Sequence, residues 1–282
     1  MAKKLMIVVG VFLALILSVL FMVPVFYDVN TQLRPKIVSA IEENLNAKAE
    51  LGRLSLSLWG KVRIEIDSLT LTETAGQTKV FEVEGAELQI PFMSLLSGRL
   101  DVTFAADRPK ISLIAGKDGK INALKMLKPA SEAGDAPAAE SQKGGASSVA
   151  GLGGRVYLST DISDGVISYK DLKSGLTSSL TGFGLRLTDV GLNHPFKIES
   201  EADLDVKGHG MALTGPLNLK GESEIKMGDA GFEQLRLDAD ADLSDVAITY
   251  GALFKKSPKN PLTLSLSTIA KTGSVELKKA DL

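Results

Sequence analysis

The segment LGRLSLSLWGKVRIEIDSLTL, residues 51–71, decides the fold. Leu54, Leu56 and Leu58 alternate with Ser55 and Ser57, and Val62, Ile64 and Ile66 alternate with Arg63 and Glu65. Period-two alternation gives an extended chain one apolar and one polar face. A three-residue loop at Trp59-Gly60-Lys61 sets Leu58 opposite Val62, Leu56 opposite Ile64 and Leu54 opposite Ile66, so all six share one face. A two-residue loop would put the two rows on opposite faces, and register follows the apolar pattern. The parity changes between Ile66 and Leu69, and a bulge or bend at Asp67-Ser68 restores the face.

The same rhythm extends outward. Before a Gly-, Ala- and Ser-rich stretch it covers Leu69–Leu71, Phe81–Val83, Leu88–Phe92, Leu100–Phe104 and Ile111–Leu113. After that stretch it covers Val156–Leu158, Leu185–Leu187, Leu204–Val206, Leu217–Leu219, Ile225–Met227, Leu235–Leu237 and Leu262–Leu266. Lys117-Asp118-Gly119-Lys120 is a turn signal. Pro91 stops one strand, and PFMSLLSGRL (91–100) reads as one turn of helix or a tight corner. The segment 129–154 holds almost no large apolar residue and is expected to be a disordered linker. The expected organisation is an anchor and cytoplasmic tip (1–29), an amphipathic helix (30–49), a first β region (50–128), the linker (129–154) and a second β region (155–282), either separate from the first or continuous with it.

The N-terminus has a different character. Residues 5–26 (LMIVVGVFLALILSVLFMVPVF) carry no charge. As a helix they would span roughly 33 Å, against about 30 Å of hydrocarbon. Lys3 and Lys4 precede them, and Arg34 is the next basic residue, which places the N-terminus in the cytoplasm and the rest across the membrane. A cleaved signal peptide is the competing reading. The long apolar run and the absence of a small-x-small site favour an uncleaved anchor. In NTQLRPKIVSAIEENLNAK (30–48), Leu33, Ile37, Ile41 and Leu45 make one helical stripe, with Asn30 or Thr31 as cap and Pro35 in the first turn. A narrow stripe and a mixed-sign polar face favour a plug for the end of a sheet over a helix lying in lipid.

Little in the chain resembles catalytic or metal chemistry. The 282 residues include no cysteine, two histidines (His194 and His209) and 5% aromatics, with a formal net charge of −2. No nucleic-acid partner is expected from that balance. Asp238, Asp240 and Asp242 suggest a calcium loop, but its glycine and terminal glutamate are missing, and a solvated strand face explains them better. Asp161, Asp164 and Asp171 raise paired-carboxylate hydrolysis. Asp164-Gly165 reads more simply as a turn. GLGG (151–154) lacks a phosphate-binding lysine and reads as linker. The expectation is a protein that is not an enzyme and uses neither cofactor nor metal.

The strands therefore pose a packing question. They present apolar faces that cost about 25 cal/mol per Å² if left in water, and there are few helices to cover them. Three arrangements remain open: two facing sheets, a closed barrel, or an open groove filled by an apolar ligand.

The chain from the anchor to about residue 127 resembles the AsmA family. The features that carry the resemblance are the anchor and short helix, the opening segment, VFEVEGAELQIPFMSLLSGRLDV and RPKISLIAGKDGKINALKML. The family pattern falls on Leu95, Leu96, Gly98, Pro109, Gly119 and Asn122. LSTDISDGVISYKDLKSG (158–175) resembles the family's second block. The resemblance implies a mostly β protein: a transmembrane helix and a short amphipathic helix, then a curled antiparallel β-groove of taco-like shape. It also implies a bacterial inner-membrane protein with a single pass, a cytoplasmic N-terminus and its bulk in the periplasm. It would bind phospholipid acyl chains and serve phospholipid transport or outer-membrane assembly. The lining expected for that groove is Leu54, Leu56, Leu58, Val62, Ile64, Ile66, Leu88, Ile90, Phe92, Val102, Phe104, Ile111 and Leu113. Family members are often much longer. The nearest rival is a scaffold similar to the N component of type II secretion, whose partners would be envelope proteins.

Overall fold

A computed structural model describes residues 28–74, 77–126, 156–228, 231–271 and 274–281. The expected anchor (5–26) and linker (129–154) lie outside these residues. Among the described residues no helix is long and apolar enough to cross a membrane.

Among the described residues seventeen strands form one sheet. They are β1 (Ala47–Leu51), β2 (Leu54–Ser57), β3 (Lys61–Ile66), β4 (Leu69–Glu73), β5 (Lys79–Val83), β6 (Gly85–Pro91), β7 (Leu100–Asp107), β8 (Lys110–Ala115) and β9 (Val156–Asp171). These are followed by β10 (Thr177–Val190), β11 (Pro195–Gly208), β12 (Met211–Gly228), β13 (Gly231–Asp242), β14 (Ala247–Tyr250), β15 (Phe254–Lys256), β16 (Thr263–Lys271) and β17 (Ser274–Asp281). Many are halves of longer ribbons. β1 and β2 pair with β4 and β3, these with β5 and β6, and these with β8 and β7. β13–β14 and β15–β16 behave alike. Counted so, eleven ribbons lie side by side in sequence order.

The expectation of a purely antiparallel sheet is corrected at one seam: β9 runs parallel to both β7 and β8. A parallel neighbour needs a long crossover, and the forty residues between Ala115 and Val156 supply one. The two β regions expected from the sequence are thus one sheet. The sheet is open, because no pairing joins β17 to the ribbon of β1 and β2.

The opening hairpin has the expected register, with Leu54 opposite Ile66 and Leu56 opposite Ile64. Gly60 adopts φ +70° in its turn. The bend at Asp67-Ser68 is also present, and it is one of a series. In six successive ribbons, two residues rather than one separate consecutive apolar-face positions. The pairs are Gly52-Arg53, Asp67-Ser68, Glu84-Gly85, Asp107-Arg108, Ser163-Asp164 and Thr181-Gly182. These extra residues align into a crease across the strands, stitched by Gly52 N–H to Ser68 O (2.7 Å), Asp67 N–H to Arg53 O (3.0 Å) and Arg108 N–H to Ser163 O (2.9 Å). A Cβ on Gly52 would lie 2.9 Å from the Ser68 backbone nitrogen, so this crossing requires glycine. The expected turn at Asp164-Gly165 is therefore a bulge inside the continuous strand β9, with Asp164 at φ +52°.

Among the described residues four short helices accompany the sheet: α1 (Val29–Gln32), α2 (Arg34–Asn44), α3 (Phe92–Ser97) and α4 (Asn122–Lys125). The expected helix 30–49 is shorter, because Ala47 already pairs with β4. Its cap is Asp28 rather than Asn30 or Thr31: Asp28 Oδ1 accepts from the N–H groups of Asn30 (3.0 Å) and Thr31 (3.2 Å). The Thr31 hydroxyl and N–H hold the Asp28 carboxyl below the usual carboxylate range. α1 and α2 plug the sheet's first end, as the stripe predicts. Val29, Leu51 and Leu54 form a buried cluster with Leu33, Ile37, Val38, Leu56, Ile66 and Leu69 around it. α3 ends at Gly98, whose φ of +72° suits the left-handed position after a helix.

Candidate functional site

Residues opposite one another on paired strands share a face, so the pairings trace the apolar side of the sheet. One row runs through Leu56, Ile64, Leu88 and Phe104. It continues through Thr160, Leu187, Ile198, Gly221, Ala239, Leu266 and Ala280. A second row, next to the crease, contains Leu54, Ile66, Ala86, Ala106, Ile162, Leu185, Ser200, Leu219, Ala241 and Leu264. Beyond the crease a third contains Ala49, Leu71, Phe81, Ile111, Ile167, Leu180 and Leu204. At about 4.8 Å per strand, the full row extends for nearly 50 Å.

Most of these side chains are half-buried. The two buried apolar clusters among the described residues lie at the helix-covered end: the one under α1 and α2, and one of Ala47, Val80 and Met126 beside α4. Outside these two clusters the rows have no such covering among the described residues. Contiguous apolar surface of this extent is uncommon on a folded protein and is characteristic of interaction faces and ligand grooves.

The expected lining residues divide into three groups. Leu56, Leu58, Val62, Ile64, Leu88, Ile90, Val102, Phe104, Ile111 and Leu113 are half-buried, and the pairings carry Ile64, Leu88, Phe104 and Ile111 into the continuous rows. Leu54 is only 2% exposed, and with Ile66 it packs under the chain's own helices. Phe92 is the first residue of α3 rather than the end of a strand, because Pro91 is the last residue of β6. Alternation in sequence also missed Leu187, Ile198 and Leu219 as continuations of the same rows. Nothing in the sequence aligns the first two with Phe104, or Leu219 with Ala106, until β9 is known to join the sheet in parallel.

The other face is charged and solvated. Arg63 pairs with Glu65 and Glu87, and Arg186 with Asp161. Asp238 accepts from the Ser267 hydroxyl (2.5 Å) and from Arg236 (2.6 Å), which keep its carboxyl below the usual range. Asp240 accepts from Ser265 and Asp242 from the Ser244 N–H. Asp171 closes a turn by accepting from the Lys173 and Ser174 N–H groups. The depressions on this side are lined largely by charged and polar residues, Asp161, Arg186 and Asp238 among them, which suit water rather than acyl chains. Among the described residues no group of three acids or histidines is placed to hold a metal ion. His194 packs edge-on against Tyr157.

Several residues of the family pattern have backbone duties. Asn122 is buried. Its Oδ1 accepts from Ile114 N–H (2.9 Å) and its Nδ2 donates to Ser112 O (2.9 Å), so the amide replaces a missing strand beside β8. Asn30 does the same for Leu54 at the outer edge of β2 (2.8 and 2.9 Å), and Asn193 for Met227. Pro109 O accepts from Val166 N–H (2.7 Å) across the parallel seam. Gly119, at φ +77°, turns the chain between β8 and α4.

No curated protein shows a significant match to the chain. The AsmA family model matches residues 1–246, spanning the helical plug, the crease and the parallel seam, and the chain belongs to the AsmA family.

Proposed function

We propose that this protein holds lipid acyl chains on the apolar face of its open sheet and contributes to phospholipid transport or outer-membrane assembly. In this reading it is anchored in the bacterial inner membrane by residues 5–26, with the sheet in the periplasm. Its role is carriage rather than catalysis, with phospholipid as ligand and the curled sheet as the groove. The observation that carries the proposal is the continuous row from Leu56 to Ala280, apolar apart from Thr160 and Gly221, which no second layer covers beyond the cluster at Leu56 among the described residues. Family membership and the open sheet support a lipid-transport role in general terms. The test is extraction of the detergent-solubilised full chain, with native mass spectrometry. Co-purified phospholipid that disappears in Ile64→Asp and Leu88→Asp supports the reading. No lipid in the wild type, together with stable envelope-protein crosslinks, would favour a scaffold instead.

A further inference from the structure

One rim of the sheet carries a second apolar feature, separate from the rows. The β2–β3 turn and the β6–β7 connection lie on adjacent ribbons, since Lys61 pairs with Pro91. Trp59 projects from the first at 73% exposure, and Met93 and Leu96 project from α3 in the second at 73% and 80%. α3 leaves two apolar side chains in solvent. Ser94 is buried, with its hydroxyl donating to Pro91 O (2.7 Å), while Met93 and Leu96 face out. A short helix that turns serine inward and apolar residues outward gains nothing from water. Beside it Arg99 stacks over the Tyr157 ring at 3.8 Å and pairs with Asp101 and Asp189, a cation–aromatic pair at the same rim.

The position of this rim identifies its partner. The described chain begins at Asp28, immediately after the uncharged run 5–26, and Asn30 is bonded to the backbone of Leu54. From Leu54 to Trp59 the strand rises about 17 Å. A membrane reached by residue 26 is therefore within the reach of Trp59, Met93 and Leu96. Tryptophan is the residue most suited to the boundary between headgroups and acyl chains, and a small apolar surface beside polar groups binds there reversibly.

We propose that Trp59, Met93 and Leu96 form a membrane-docking rim that inserts into the headgroup boundary of the bilayer from which the chain emerges. This seats one side of the sheet on its lipid source. It rests on the reading of residues 5–26 as an anchor but not on lipid occupying the rows. The experiment uses the full chain reconstituted in phosphatidylethanolamine–phosphatidylglycerol vesicles, some brominated just below the headgroup and some near the acyl methyl end. Trp59 is the only tryptophan in the chain, so its emission is unambiguous. The expected result is blue-shifted emission, quenched more by shallow than by deep bromine. Met93→Ser/Leu96→Ser, both at exposed positions, should cut the quenching by roughly half while leaving co-purified phospholipid unchanged. Ile64→Asp should do the reverse, losing co-purified phospholipid but keeping the quenching. Emission typical of water, open to iodide and indifferent to brominated lipid, would overturn the proposal. So would quenching unchanged in the double variant, or a photocrosslinker at Met93 that captures protein in place of lipid.

Discussion

Replacing Ile64 by aspartate separates an open sheet from a covered one. Ile64 stands between Leu56 and Leu88 in the longest row and is half-buried. Burying an isoleucine completely is worth about 1.5–3 kcal/mol, so losing a half-buried one costs about 1–2 kcal/mol. On an open face the new carboxylate reaches water and adds little. Under a second layer it would be an unpaired buried charge, and several further kcal/mol would be lost. Leu54→Asp supplies the comparison, since Leu54 is 2% exposed beneath Val29 and its neighbours. Truncating such a leucine alone costs about 2–5 kcal/mol, before the carboxylate is desolvated. At about 2–4 °C per kcal/mol for a domain of this size, Ile64→Asp should lower Tm by roughly 2–8 °C. Leu54→Asp should lower it by well over 10 °C or abolish the cooperative transition. Circular dichroism melts of the full chain in detergent read both. Equal losses in the two variants would refute the reasoning, because Ile64 would then lie under a covering layer.

Three further outcomes are expected. Asn30→Ala removes both bonds to the Leu54 backbone and should cost about 1–3 kcal/mol, with faster amide exchange at Leu54 in mass-spectrometric exchange. Lys256→Met strips a buried ammonium that donates to the carbonyls of Leu243 (2.9 Å), Ser244 (2.8 Å) and Val246 (2.9 Å), and should destabilise by about 2–3 kcal/mol in denaturant melts. The Asp28 cap should show in acid. Its folded pKa is lowered, so its contribution is present above the unfolded value near 3.8 and is lost as pH falls through the folded value. The stability gap between wild type and Asp28→Ala should close across that range.

The hairpin register was legible because Leu54, Leu56, Ile64 and Ile66 leave one pairing that keeps them together. The helical plug was legible for a similar reason, since Leu33 and Ile37 form a stripe. The crease was visible only at Asp67-Ser68, where two strong rows flank it. Elsewhere its parity step hides behind residues such as Ala86, Ala106 and Pro109, whose side chains are too small or too ambiguous to mark a face. Asp164-Gly165 was misread because a positive-φ bulge and a turn use the same residues. The parallel seam could not be read at all, because pairing between β8 and β9 depends on contacts across a long connection that local alternation does not encode. The outward face of α3 was equally hidden: PFMSLLSG has the composition of a buried corner, and only the placement of Ser94 shows which side is inside.

The parallel seam also sets the order of events as the chain emerges from synthesis. The first four ribbons are local hairpins and can pair as soon as they appear. The outer edge of β7 and β8 must then wait for β9, forty residues later. At typical elongation rates this is about 2–8 s, during which an apolar-faced edge stands unpaired and open to the wrong partner. The seam is therefore where a nascent copy is most exposed to misassembly, and where a holding chaperone would have its longest opportunity.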